Sequence, residues 1–298
     1  MDYLITGATG FIGQKLVHQL LSAGNEVNYL ARRRSTALDS RAAFHRWIPG
    51  ELPPLDSVPT IDAVVHLAGE PIAQRWNADV RRRIRESRVE GTRKLVSAIA
   101  KVRHKPSVLV SASAVGYYGD RGDEILTENS SPGDDFLAQL CVEWEQEALR
   151  ARELGLRVVL IRIAAVLGRE GGALKQMLTP FRLGIAGKFG NGRQWMPWIH
   201  LEDVVRLLLF AATDAHTAGP LNGSAPQPIT NADFTKAMAA AVRRPAILPM
   251  PKFALKLALG EMANFLFASE RVVPEQTQRV GFEFKYPEIR HALQSLLQ

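Results

Sequence analysis

The chain has one cysteine in 298 residues, Cys141. A single thiol excludes an internal disulfide, and the absence of any Cys-x-x-Cys pair excludes a thiolate metal centre. The histidines, His18, His45, His104, His216 and His291 among them, show no ligand-like spacing with acids, so no metal is expected. No apolar run reaches the length needed to span a bilayer, which argues against a membrane partner. Strand-like residues follow Met1 at once, so no signal peptide is expected and a reducing cytoplasm is the expected compartment. The net charge of +7 raises the question of nucleic acid. Its arginines concentrate at 32–34 and 81–83, with no helix-turn-helix, zinc-finger or aromatic RNA-binding pattern beside them, and nucleic-acid binding is not expected. Internal repeats and low-complexity linkers are also lacking. What remains is an ordinary globular composition, 46% hydrophobic and 22% charged, enough for one large or two modest domains.

What is present is concentrated near the start. Leu4-Ile5-Thr6 runs into Gly7, Gly10 and Gly13, and an apolar helix is predicted over 11–21. In this G-x-x-G-x-x-G spacing the first glycine permits the turn off the strand. The second lets backbone N–H groups approach a pyrophosphate, and the third lets helix and strand pack closely. A pyrophosphate would meet unpaired N–H groups at the helix N-terminus. Thr9, Phe11 and Ile12, between the glycines, are counted among the cofactor contacts. A second strand is predicted over 26–31, where an NAD site usually ends on an acid that holds the ribose 2′-OH. Here Arg32, Arg33 and Arg34 stand instead. A guanidinium can grip a 2′-phosphate through two charge-assisted hydrogen bonds, so NADP(H) is the expected cofactor. The plainer alternative is a solvated basic turn.

Strands over 63–69, 108–111 and 157–162 alternate with helices over 79–102 and 134–154. Such alternation predicts an α/β fold, a doubly wound parallel sheet of Rossmann type. After about residue 166 the rhythm weakens. We therefore expect a dinucleotide-binding domain over 1–165 to which 200–225 returns, and a smaller substrate-side lobe built from 166–199 and 226–298.

Several motifs carry a family resemblance. Gly7–Gly13, His66-Leu67-Ala68-Gly69, Val89-Glu90-Gly91-Thr92, Ser111-Ala112-Ser113 and Trp198–Val204 occur in the order seen in extended short-chain dehydrogenase/reductases. His66–Ile72, Ser87–Thr92 and a C-terminal segment make the chain look like the atypical, YfcH-like epimerase branch. The segment reads Gly260-Glu261-Met262, Arg271–Pro274 and Gly281–Pro287. The resemblance implies a small-molecule substrate of undefined identity, and some members are described as cell-division regulators. A homodimer is implied by analogy alone.

Against that family one feature is missing. Active relatives use a Tyr four residues before a Lys, which places both on one helix face, where the ammonium lowers the phenol's pKa. The corresponding helix offers Phe136 and Leu140 in one register, Leu137 and Cys141 in another. No lysine in the chain has a tyrosine four residues earlier. The candidate replacements are Ser113, matching the family's substrate-hydroxyl serine; Glu70, after the strand ending near the nicotinamide; and Tyr117 or Tyr118. In plainer terms Ser113 caps a strand, Glu70 forms a surface turn and the tyrosines pack. Cys141 in an apolar helix is ordinarily inert packing.

Leu67, Ala68 and Gly69 are expected to pass close to the adenine-side ribose and pyrophosphate, an approach that needs small side chains, and Ser111 is counted among the cofactor contacts. Arg88 and Glu90 lie on a helix that contacts the cofactor region or merely faces solvent. Arg162 lies near the nicotinamide end or pairs with a carboxylate. Trp195 and Trp198, with Met196 and Pro197, wall a substrate pocket or form a core between lobes. His200 and Asp203 are read as structural. Two functional classes follow: an NADP(H)-dependent oxidoreductase or epimerase acting on a small metabolite, nucleotide-linked ones included, or a catalytically silent NADPH-binding sensor.

Overall fold

A computed structural model describes residues 1–48 and 50–297; Pro49 and Gln298 lie outside the described residues. Its centre is a seven-stranded parallel sheet. The chain enters it with β1 (Asp2–Thr6), turns into α1 (Phe11–Ser22), and adds β2 (Glu26–Ala31) and β3 (Ala43–Arg46) on one side of β1. It then crosses to the other side with β4 (Ala63–His66), α2 (Ala78–Arg85), α3 (Gly91–Ile99) and β5 (Val108–Ala114). The short β6 (Ile125–Leu126), α4 (Phe136–Leu149) and β7 (Arg157–Ile163) follow. Winding reverses between β1 and β4. In open α/β sheets that reversal leaves a crevice beyond the strands' carboxyl ends, where ligands bind.

The inner strands β1, β4, β5 and β7 are largely apolar and buried because helices cover both faces. Successive side chains point to opposite sides, so Tyr3, Ile5, Val65 and Val110 pack with α1 on one face. Leu4, Val64 and Leu109 pack with Leu95 of α3 and Ala148 of α4 on the other. The edge strand β3 escaped the sequence reading because Phe44 and His45 are half-buried between the exposed Ala43 and Arg46, a pattern too short to carry a period.

The helix predicted over 79–102 is interrupted. Between α2 and α3 the backbone forms a π turn over Glu86–Glu90. The helix predicted over 134–154 is α4 followed by a 3₁₀ turn, Arg150–Leu154, and a left-handed Gly155 at φ 86°. Asp135 starts α4, its side chain accepting from Ala138 N.

Beyond residue 164 the chain forms β8 (Ala165–Leu167), α5 (Gly172–Arg182) and β9 (Trp198–His200), with β8 pairing β9. Then α6 (Leu201–Thr213) packs on the main sheet and β10 (Gly219–Gly223) joins it beside β7. A separate apolar cluster collects Leu174, Leu178, Trp198, Phe234 and Leu293 from α5, β9, α7 (Asn231–Val242) and α10 (Ile289–Leu297). Before α10 come α8 (Lys252–Leu259), β11 (Arg271–Val272) and α9 (Glu275–Arg279), with β11 pairing β6. Asp203 on α6 accepts the backbone N–H groups of Lys285 and Tyr286, which ties the C-terminal segment to the sheet's helical layer. His200 stacks on Tyr286 at 3.9 Å. Burial lowers its pKa to about 4, so the imidazole is neutral. No described helix is long and apolar enough to cross a membrane. The described residues contain no group of three His, Cys, Asp or Glu placed to hold a metal.

Candidate functional site

The three glycines do different work. Gly7 has φ +72°, and a Cβ there would stand 2.6 Å from the Leu67 carbonyl carbon. A Cβ on Gly13 would stand 2.2 Å from Gly7 O. Both therefore serve the fold, as close backbone packing requires. A Cβ on Gly10 would meet only Gly7 O at 3.2 Å. Gly10 is exposed and is the N-cap of α1, with no side-chain cap and no acid in the first helical turn. The first N–H groups of a twelve-residue helix are thus left to an incoming acceptor, in a space that a side chain at position 10 would fill. These features fit a dinucleotide pyrophosphate. Thr9 is exposed at the same loop. Ile12 is half-buried, and the Phe11 ring packs against Gly168, Gly171 and Gly172, where any side chain would collide with it.

Behind the loop His66 is wedged between two hydroxyls, Thr6 Oγ1 at 2.6 Å and Thr92 Oγ1 at 2.9 Å. Burial, with Arg88 adding to it, lowers its pKa to about 4. The neutral ring joins β1, β4 and α3, while Thr6 Oγ1 also accepts from Ala68 N at 3.2 Å. On the far side of the loop Arg32, Arg33 and Arg34 are exposed beyond β2, and none has an ion-pair partner among the described residues.

On the β4 side, Leu67 and Ala68 are half-buried and Gly69 is exposed. The Arg88 guanidinium lies against Gly69: a Cβ there would be 3.0 Å from its Cζ. Arg88 sits in the π turn, stacks over Trp144 at 5.2 Å and donates to the backbone oxygen of Glu70 at 2.9 Å. Burial lowers its pKa to about 10, so it remains a cation. The Glu70 side chain, 31% exposed, faces Arg83 and Gln74 instead, which places it in a surface network rather than a dry pocket. Glu90 pairs with Arg93. Cys141 is buried, and burial together with Glu145 pushes its thiol up to about 12; it is protonated at neutral pH and inert as a nucleophile.

At the ends of β5 and β7 the polar side chains engage one another. Ser113 Oγ donates to Glu145 Oε1 at 2.6 Å. Arg162, 3% exposed, grips both Glu145 oxygens at 2.9 Å, and also donates to Tyr118 Oη at 3.0 Å and Glu128 O at 3.2 Å. Tyr118 Oη donates to Asn222 Oδ1 at 2.7 Å. Burial alone would lower the guanidinium's pKa, but Glu145 and Tyr118 raise it overall. The expectation that Arg162 contacts the cofactor is corrected: it is almost fully buried and makes four hydrogen bonds inside the protein, two of them to Glu145. Tyr117 lies under the same guanidinium, 3.5 Å from its ring centroid. Ser111 is fully buried, donating to Ala112 O, and so lies behind the site rather than at its surface. Sequence reasoning missed Glu145 as a partner. The available signal was an acid on the otherwise buried face of α4.

A cavity of about 460 Å³ opens beyond α4, walled by Trp76, Arg81, Asp120, Asp135, Phe136 and Phe265. The two tryptophans expected to wall a pocket are elsewhere. Trp198 is 1% exposed in the C-terminal core, so the pocket assignment is corrected for it. Trp195 Nε1 donates to Asp123 at 2.7 Å, and the ring lies under Arg271. Near the cavity's acids stands Glu270, unremarked in the sequence. Burial first, then Asp135 and Asp120, push its pKa up to about 8.

Comparison with known proteins agrees with this geometry. A family model described as the NAD dependent epimerase/dehydratase family matches residues 3–222. A second, described as a domain of unknown function, DUF1731, matches 250–296. The chain is 40% identical to the chloroplastic epimerase family protein SDR39U1 homolog of Arabidopsis thaliana, over all of this chain and 87% of that one. It is 36% identical to the epimerase family protein YfhF of Bacillus subtilis, over all of this chain and 98% of that one. The crystal structure of human epimerase family protein SDR39U1 with NADPH superimposes with a TM-score of 0.90 at 35% identity, covering 100% of this chain and 99% of that chain.

Proposed function

The chain belongs to the NAD dependent epimerase/dehydratase family, and from that premise we propose that it binds NADP(H) and acts as an oxidoreductase or epimerase on a small metabolite, nucleotide-linked compounds included. The observation that carries the cofactor reading is the exposed, uncapped start of α1 at Gly10, with three exposed arginines just beyond β2 that have no ion-pair partner among the described residues. The human relative crystallised with NADPH supports it. In this reading Gly10 and the α1 amides hold the pyrophosphate, Arg32 and Arg33 take the 2′-phosphate, and Leu67–Gly69 pass beside the ribose. NADP(H) would supply or accept a hydride.

The protein's own part is proton handling. Ser113 Oγ donates its hydrogen bond to Glu145, which leaves the serine lone pairs to accept from a substrate hydroxyl. Tyr117, beside the Arg162 cation, and Glu70 are the other candidate proton carriers. A second reading is kept for one specific reason. No Tyr–Lys pair exists, and the Ser113–Glu145–Arg162–Tyr118 group is hydrogen-bonded to itself. That is compatible with an NADPH sensor, for instance in cell division, that turns nothing over. The single buried cysteine supports a reducing compartment such as the cytoplasm.

Calorimetry tests the cofactor reading. NADPH should bind at least tenfold tighter than NADH, about 1.4 kcal/mol, and Arg32→Asp should erase the gap. Equal affinities in the unaltered protein would refute it. A carbonyl and nucleotide-sugar screen, reading NADPH absorbance and product stereochemistry, separates enzyme from sensor, and silence with NADPH binding intact favours the sensor.

A further inference from the structure

The Arg88 cation stands at the end of β4 with no carboxylate paired to it among the described residues. The helix from Ala78 to Ile99 would be continuous but for the π turn at Glu86–Glu90, and such single wide turns occur frequently at functional sites. Within that turn Arg88 directs its guanidinium against the Cα of Gly69, at the end of β4, and over the ring of Trp144. Its protein partners are the carbonyl oxygens of Glu70 and Ile84. Among the described residues it forms no ion pair, although Glu70 lies close by. That carboxylate is turned to Arg83 and Gln74. By contrast Arg162, the other enclosed arginine near the strand ends, is neutralised by a two-pronged grip on Glu145.

The place of this charge in the crevice can be read from topology. In the reading above, the arginines beyond β2 would hold the 2′-phosphate, and so the adenosine half, on the β2 side of the glycine loop. The nicotinamide half would then run to the other side, over β4 and β5, the side on which Gly69 and Arg88 stand. Oxidised nicotinamide carries a positive charge on its ring and the reduced ring carries none. A neighbouring cation repels the first and is indifferent to the second. Arg88 is half-buried between Gly69 and Trp144, so its charge is less screened than one in open solvent, and burial lowers its pKa accordingly.

We propose that Arg88 makes this protein selective for the redox state of its cofactor, holding the reduced, neutral nicotinamide in preference to the oxidised, cationic one. The inference rests on the NADP(H) reading above and deepens it. As an enzyme the protein is poised for reduction; as a sensor it reports the ratio of reduced to oxidised cofactor rather than their sum.

The test measures affinity and needs no substrate. Calorimetry on the unaltered protein should give NADPH at least tenfold tighter than NADP⁺. Arg88→Gln, its fold checked by a thermal melt, should bring the ratio to within threefold, chiefly by tightening NADP⁺ relative to NADPH. Arg88→Lys, which keeps the charge, should keep most of the preference. Equal affinities in the unaltered protein would overturn the proposal, as would an Arg88→Gln variant that weakens both forms alike and leaves the ratio unchanged. The latter is the behaviour of a plain phosphate anchor. Failure of either form to bind the unaltered protein would instead strike at the cofactor reading itself.

Discussion

The two halves of the crevice are built on opposite plans. At β1 and β2 the surface is backbone: exposed Gly10, uncapped amides, and exposed arginines without an ion-pair partner among the described residues. At β5 and β7 it is side chain: Ser113, Glu145, Arg162 and Tyr118 form a closed group with few donors left over. A backbone cradle can wait open because solvent satisfies it at no structural cost. The Arg162 charge, almost fully buried, is matched inside the protein by Glu145. The first half is therefore shaped for a ligand and the second for itself.

The largest effect should come from opening the second half. Arg162→Met leaves the Glu145 carboxylate enclosed without its cation, and about 3–5 kcal/mol of stability should be lost in urea unfolding. A loss below about 1 kcal/mol would mean that the pair is not integral to the fold. Replacing both members, Glu145→Leu with Arg162→Met, should cost less than the single change, since no unpaired charge remains.

In the first half the same kind of intrusion should spare stability and remove binding. Gly10→Val places its side chain in the cradle while meeting only Gly7 O. NADPH affinity should fall at least a hundredfold, about 2.7 kcal/mol, with the melting temperature near that of the parent. Gly13→Val should instead fail to fold, given a backbone oxygen 2.2 Å from its Cβ. Normal NADPH binding by a folded Gly10→Val protein would show that the cofactor lies elsewhere.

How much of this was legible in the sequence follows the same division. Residues 4–13 are contiguous and their chemistry lies in the backbone, so spacing alone revealed the strand, turn and helix. The alternation that announced a doubly wound sheet survives because each strand is continuous. The buried network was not legible, because its members meet only after folding: Glu145 with Arg162, Tyr118 with Asn222, Glu128 with Thr277. The cavity wall likewise gathers Trp76, Phe136 and Phe265 from three separated segments. Trp198 misled because an aromatic residue advertises apolarity and says nothing of whether it faces a ligand or the core. The π turn left only a faint trace, a step of five from Ile84 to Val89 where one face of a regular α-helix steps by three or four.

The smallest of these effects concerns pH. Glu270 has its pKa raised on folding, from the 4.5 of an ordinary carboxyl to about 8. The folded state then holds a proton that the unfolded state has released, and stability declines as pH rises through that window. Between pH 7 and 8.5, where neutral His66 and His200 contribute little, the parent should lose on the order of 1 kcal/mol. Glu270→Gln should flatten that slope and be the more stable protein at pH 8.5. Identical slopes for the two proteins would place the titration on another group.

Glu128 fixes an order of events during synthesis. Its buried carboxylate takes N–H groups from Asn222, Gln276 and Thr277, and the Thr277 hydroxyl. The last of these lies 149 residues further along the chain. At roughly 5–20 residues per second, the ribosome delivers it some seven to thirty seconds after Glu128 emerges. Until then the loop before α4 cannot settle with its charge satisfied. The Rossmann half is thus left waiting for residues far along the chain, and a chain cut short before α9 would be an unfinished protein rather than a smaller one.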